Sequence, residues 1–383
     1  MAIVLCKYAD QSLETRPRSF YQDYYTRFGT GGLADYWRDV TFGALDLTRS
    51  EVFGWFTMTH KSSEVKALVF PGGRNTLVQW GRDTAAANGV DLSKFDAVLI
   101  VQNWGPDHGA AGNGIVIVDH NPAYVESTFI AHEMGHMFGL GHSFGENVSP
   151  CISGNGEYCD AWDIMSAANV FLYNDNFQGV NGTFGPGLNA FDVKALGGLP
   201  PERLVSIDKP DFSSTIALAP LNQPLQPGSR YAVEITAAAG SPPRESGSTY
   251  TIEYRHKAGW DRGLPSDAIL VHEVKEGRSY LKPTVNNSSL LAGQRYATDL
   301  PKVYIEVVSI DPDSQKATVR VWDVPEDSLR RDESDQKLYL IDIGRKRLVA
   351  SGTALRRLGR KFRDVRSVPG GGLSDIPDGE PVN

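Results

Sequence analysis

The run His132-Glu133-Met134-Gly135-His136-Met137-Phe138-Gly139-Leu140-Gly141-His142 constrains this chain more than any other stretch. His132 and His136 are four apart, which on a helix sets them one above the other on a single face. Glu133 follows the first histidine directly. It is too near in sequence to act as a third ligand in the same geometry, but it can reach a water held by an ion between the imidazoles. Gly139 is a poor helix residue and a good stop, because it enters positive φ at little cost. A sharp turn there brings His142 back to the ion. Three neutral imidazoles with a fourth position left open is the catalytic arrangement of zinc, whereas structural sites are usually Cys-rich and closed by a fourth protein ligand. The run contains no Cys, and a histidine helix built only for packing would leave Glu133 without a purpose. The spacing therefore predicts one catalytic Zn²⁺ on His132, His136 and His142. Glu133 serves as general base and later as acid to the leaving amine. Zinc would supply a nucleophile by lowering the pKa of a bound water to about 7, and would polarise the scissile carbonyl.

Read as H-E-x-x-H-x-x-G-x-x-H, the run resembles the signature of the metzincin metallopeptidases. That resemblance implies a methionine turn below the metal, and Asp163-Ile164-Met165-Ser166 is the candidate, with Met165 as an apolar floor. Within the clan the chain is most similar to the immune inhibitor A and gametolysin groups. The similarity is carried by Asp35 to Gly43, Val52 to Phe56, Phe184 to Gly198, Tyr250 to Arg255, Gly259 to Asp261 and Ala268 to His272. It covers about residues 1–323 and implies a zinc endopeptidase acting on protein or peptide substrates outside the cell. One departure stands out. Many members place a Tyr just after the turn methionine, where it can assist the oxyanion. Here Ser166-Ala167-Ala168-Asn169 follow, and the nearest downstream tyrosine is Tyr173.

At 383 residues the chain has room for two domains. Its net charge of −8 argues against nucleic acid as a partner. No stretch approaches the ~20 apolar residues of a membrane-spanning helix. The N-terminus, Met1-Ala2-Ile3-Val4-Leu5-Cys6-Lys7-Tyr8, reads as a short apolar strand rather than a signal peptide, so secretion rests on the resemblance. Cys151 and Cys159 bracket a turn between the zinc motif and Met165. A bridge between them would stiffen the floor of the site and imply an oxidising compartment; two reduced thiols are the alternative. Cys6, in an apolar strand, reads as a core residue.

Along the chain, residues 2–8 read as a strand, 18–28 and 32–40 as helices, 44–58 as extended, and 74–88 as a helix capped at Asn88-Gly89. Phe95 to Val101 and Gly114 to Val118 read as strands. Pro122 to Gly139 reads as the zinc helix, with Asn121 as N-cap and Pro122 at the first position. This alternation predicts a mixed α/β (α+β) catalytic domain over 1–199. Gly114 to Val118 could be an open edge that pairs with an extended substrate or a buried strand. Trp104 to Asn113 reads as a Gly-rich loop whose His108 is solvated, faces the cleft or binds a second metal; Asp119 and His120 carry no specific signal. Asp160, Asp163, Asn174, Asp175 and Asn176 are oxygen donors that could hold Ca²⁺ or only shape turns.

Six short strands between Thr215 and Trp322 predict an all-β sandwich over 200–323. No chemistry is visible in it, and His256 and His272 read as structural. Residues 324–383 read as a charged linker and a partly disordered tail, in which 338–342 could form one strand and the basic stretch from Arg345 to Arg366 is either an amphipathic helix or a solvated appendage. The competing account of the whole chain is a catalytically silent metzincin-like module that binds a protein or a glycan through the sandwich. The intact Glu133 argues against it.

Overall fold

The computed structural model describes residues 1–208, 212–236, 249–298, 303–323, 327–342, 344–368, 370–371, 373–374 and 376–383, with Ala168 described in its backbone only. It is a mixed α/β structure with several sheets and few helices, and strands dominate the C-terminal part. No described helix is long and apolar enough to cross a membrane. The chain divides into two units. The first comprises Met1–Pro200 with Leu221–Leu225 and His256–Ser266; the second comprises the remainder. The long segment of the first unit ends at Pro200, beside the boundary expected near 199, and two short later segments also belong to that unit.

In the first unit, β1 (Ala2–Lys7) is followed by α1 (Arg18–Thr26), α2 (Leu33–Val40), β2 (Glu51–Thr57), the four-residue α3 (Ser62–Val65), α4 (Gly73–Ala87), β3 (Val98–Gln102), β4 (Gly109–Ala111) and β5 (Gly114–Val118). The five strands form one sheet in the order β2-β1-β3-β5-β4. β1 runs parallel to β2 and β3, and β3 parallel to β5, as their continuous apolar runs require of strands covered on both faces. Val4, Cys6, Leu77, Val78, Ile100 and Val116 pack in one core beneath α4. Cys6 is core, as expected, and burial pushes its thiol up to about 12. β5 is not the edge. The short β4 pairs antiparallel with it, Ala110 opposite Ile115, and occupies the outer position. The Gly-rich loop expected at 104–113 thus contains the edge strand, too short and too rich in small residues to show a strand pattern.

Beyond β5 come β6 (Tyr124–Val125), α5 (Ser127–Met137), the two-residue β7 (Phe144–Gly145), β8 (Tyr173–Phe177), β9 (Val180–Phe184) and α6 (Ala190–Ala195). The zinc-motif helix begins five residues later than expected. Asn121 caps no helix; its Oδ1 accepts from the Ala123 N–H at 3.0 Å. Tyr124 and Val125 instead pair with Asn181 and Gly182 of β9, and the Arg16 guanidinium donates to the Asn121 and Tyr124 carbonyls. Tertiary strand pairing has overridden a local helix-start signal.

In the second unit, β10 (Leu204–Ile207), β11 (Ser213–Leu218), β12 (Ala232–Ile235), β13 (Thr249–Arg255), β14 (Ala268–Lys275), β15 (Arg278–Leu281), β16 (Arg295–Ala297), β17 (Tyr304–Asp311) and β18 (Lys316–Trp322) build two sheets. One has the order β10-β12-β13-β14-β15, the other β11-β18-β17-β16. Their alternating apolar residues, among them Ile216, Leu218, Ile252, Val271, Val307 and Val319, share one core. The two sheets share this core, sandwich-fashion.

The expectation for 324–383 is corrected. Residues 324–326, 343, 369, 372 and 375 lie outside the described residues, but the rest folds. β19 (Ser328–Asp332), β20 (Leu338–Asp342, the strand expected at 338–342), β21 (Arg345–Leu348) and β22 (Val365–Val368) form a sheet in the order β21-β20-β19-β22, and among the described residues there α7 (Gly352–Arg357) is the only α-helix, followed by a 3₁₀ turn at Phe362–Asp364. Leu329, Leu340, Val349, Leu355 and Val382 are buried together, as are Ile341, Val368, Leu373 and Ile376. The basic residues hide a sparse apolar set that is buried only when spread over several strands. Charge density misled the reading of a helix and a loose end.

Candidate metal centre and its cleft

α5 carries His132, Glu133 and His136 on one face, as the spacing requires. Its end is set by Gly139 at φ 91°, with the Leu140 N–H returning to the Gly135 carbonyl at 3.0 Å. That left-handed step reverses the chain and delivers His142. Potential ligand atoms of His132, His136 and His142 lie within 4.8 Å of one another, the only such grouping of His, Cys, Asp and Glu among the described residues.

The hydrogen bonds decide which nitrogens face inward. His132 Nδ1 lies 3.0 Å from the Ile164 carbonyl, and His136 Nδ1 lies 2.9 Å from the Leu140 carbonyl. Carbonyl oxygens only accept, so both Nδ1 atoms carry the proton and both Nε2 atoms present bare lone pairs. His142 Nδ1 is fixed by Glu157 Oε1 at 2.6 Å, which leaves its Nε2 inward as well. His132 Nε2 and His136 Nε2 are 3.1 Å apart. Two lone pairs at that distance repel, and a cation between them removes the repulsion. Burial is the main cause that lowers the His132 pKa to about 3 and also lowers that of His142, so these imidazoles stay in the neutral form that ligates metal. The donor set fits a metal ion.

Glu133 is buried, and its Oε2 accepts the Ala110 N–H of β4 at 2.6 Å. Burial raises its pKa above the usual carboxylate range, against the lowering influences of His136 and of that N–H. Oε1 has no hydrogen bond to a described residue. Arg74, Ala110, Phe129, His132, Glu133, His136, His142, Ile152, Tyr158 and Ala167 line a cleft of about 450 Å³.

Met165 is fully buried, and a side chain at Gly135 would come within 2.4 Å of its sulfur, so the glycine lets the methionine lie against α5. Its neighbour Ile164 supplies the carbonyl that holds His132, while Asp163 accepts the Met165 N–H at 2.6 Å. The turn thus orients a ligand as well as filling space beneath the helix. Cys151 and Cys159 are joined in a disulfide. The loop it closes carries Glu157 and Tyr158, which the sequence reading did not single out as site residues. The Tyr158 hydroxyl lies 2.9 Å from His142 Nε2 and its ring centroid 4.1 Å from that of the imidazole. Asn169 holds this loop by donating to the Pro150 and Tyr158 carbonyls. Tyr173 does not line the cleft: it stacks on Phe184, with the Arg262 guanidinium over its ring. The only available signal for Tyr158 was its place inside the small Cys loop, and for Glu157 its position next to that tyrosine.

His108 stacks on Phe129 at 4.3 Å, half-buried rather than solvated. Asp119 pairs with Arg16 and accepts from the Tyr21 hydroxyl at 2.9 Å. Among the oxygen donors near the methionine turn, Asp160 and Asp163 accept nearby backbone N–H groups and Asp175 pairs with Arg262.

No protein-family model matches the chain. No curated protein matches it significantly.

Proposed function

We propose that the chain is a zinc-dependent endopeptidase of metzincin type. The observation that carries this reading is the convergence of three Nε2 lone pairs, each fixed from behind at Nδ1, beside a buried glutamate in an open cleft. A bound zinc ion would supply Lewis acidity to a water and to the scissile carbonyl. His132, His136 and His142 are the residues that would hold it. The Ala110 N–H fixes one oxygen of Glu133, which leaves Oε1 as the proton acceptor; its raised pKa suits a group that takes a proton and returns it to the leaving amine. β4 lies at the end of its sheet and Ala110 lines the cleft, so the outer strand borders the space an extended peptide would occupy. The disulfide supports an oxidising compartment.

The test is cleavage of an unfolded protein by zinc-loaded wild type and by Glu133→Ala, with metal content measured on both. Cleavage by the wild type should fall about 10²–10⁴-fold in the variant, the usual contribution of general acid–base catalysis, with zinc retained. Equal cleavage by the two proteins would sink the assignment.

A further inference from the structure

One charged side chain in the cleft has no part in that reading. Arg74, in the first turn of α4, is the only Lys or Arg among the described lining residues. Asp107 grips one edge of its guanidinium, Nε to Oδ2 at 2.8 Å and Nη2 to Oδ1 at 2.9 Å. This side-on fork fixes the guanidinium plane. Nη1 makes no hydrogen bond to a described residue, and a quarter of the side chain is exposed. Arg16, by contrast, commits Nη2 to the Asn121 and Tyr124 carbonyls as well as pairing with Asp119. Arg74 Nη1 has no such commitment to a described residue. The place is also prepared for it: Nη1 lies against Gly109, where any Cβ would approach it to 2.5 Å. The next residue, Ala110, is the one bonded to Glu133. Glu133 and Tyr158 lie within the electrostatic reach of the guanidinium. The remaining wall is largely apolar, from Phe129, Ile152 and Ala167.

We propose that Arg74 recognises a carboxylate of the substrate, so that the cleft selects peptides with an acidic residue close to the scissile bond. The inference rests on the peptidase reading for its substrate class. Asp107 sets the direction of the two free Nη1 hydrogens, and they form the fixed half of a charge-assisted pair. A neutral amide of the same shape forms only the weaker half of that interaction.

The experiment uses zinc-loaded wild type and Arg74→Gln on peptide pairs that differ only in Glu against Gln, placed in turn at the three positions on each side of the bond. At one position the wild type should favour Glu by about 10–100-fold in kcat/KM, expressed mainly in KM, and Arg74→Gln should abolish that ratio. Three results would overturn the proposal: no Glu preference in the wild type, a preference that survives in a folded Arg74→Gln, or an equal fall for both peptides with the ratio intact. If the wild type cuts neither peptide, the peptidase reading fails separately. Fluorescence anisotropy of the same labelled peptides on the wild type then decides: tighter binding of the Glu peptide supports Arg74, and equal binding refutes it.

Discussion

Two places among the described residues bury histidine beside glutamate, and they use the pair differently. In the sandwich, Glu253, Arg255 and His272 are fully buried. Arg255 donates to Glu253 at 3.3 Å, and His272 Nδ1 stands 3.9 Å from the other carboxylate oxygen. Charge there meets opposite charge inside the protein. In the cleft, each imidazole is bonded at the back and turns its Nε2 toward the others, with the Tyr158 hydroxyl 2.9 Å from that of His142. The first cluster is fully buried, whereas in the cleft only His132 and Glu133 are buried and His136 and His142 are partly exposed. What distinguishes a candidate site is bonding capacity that the fold holds in place without using.

The largest effect that sharpens this contrast is expected in the sandwich. Arg255→Met leaves Glu253 buried beside a neutral partner. Breaking a buried ion pair from one side typically costs about 3–5 kcal/mol, so the urea midpoint should drop steeply. Zinc content and turnover per folded molecule should stay at the wild-type level. A loss of zinc affinity in the folded Arg255→Met protein would break the comparison, since the sandwich cluster would then be coupled to the site.

Next in size is Glu157→Gln. The amide can still accept from His142 Nδ1, so the ring keeps its orientation, but the charge that raises the basicity of the imidazole is gone. Partners of this kind are worth about 10–100-fold in metal affinity. Competition with a zinc-binding dye should show a fall in that range with little change in thermal stability. An unchanged affinity would mean that the Glu157 contact only packs the disulfide loop.

The line between what the sequence disclosed and what it hid follows contact order. His132, Glu133, His136, Gly139 and His142 act through a helix turn and a reversal, both written in local spacing, and Met165 sits a short loop away. Arg74 and Ala110 reach the same cleft from a helix and an edge strand. Nothing in their own neighbourhoods signals the convergence, because it is produced by the sheet order that places β4 outside β5. The start of α5 was misjudged for a related reason. Asn121-Pro122 is a sound local helix signal, and pairing of Val125 with Gly182 overrode it from a distance. The tail shows the same limit: Leu329 is buried with Val382, and no window shorter than the whole segment contains that contact.

The smallest expected effect is a pH dependence of the metal-free protein. Burial lowers the His132 pKa from 6.5 to about 3 in the folded state, while the unfolded chain keeps the ordinary value. Between those limits the unfolded state binds the extra proton, so stability rises with pH and is lost as pH falls through the window. From pH 6.5 to 5.5 this residue alone should remove about 1 kcal/mol, and His142, lowered in the same direction, adds to the trend. Urea titrations of chelator-treated protein at the two values measure it, and His132→Asn should flatten the slope. The sandwich supplies the control, because Arg255→Met should lower stability at both values and leave the slope in place. A slope that survives in folded His132→Asn would mean that the acid sensitivity lies elsewhere, and the contrast between a neutral, waiting imidazole cluster and a charge-satisfied one would lose its thermodynamic support.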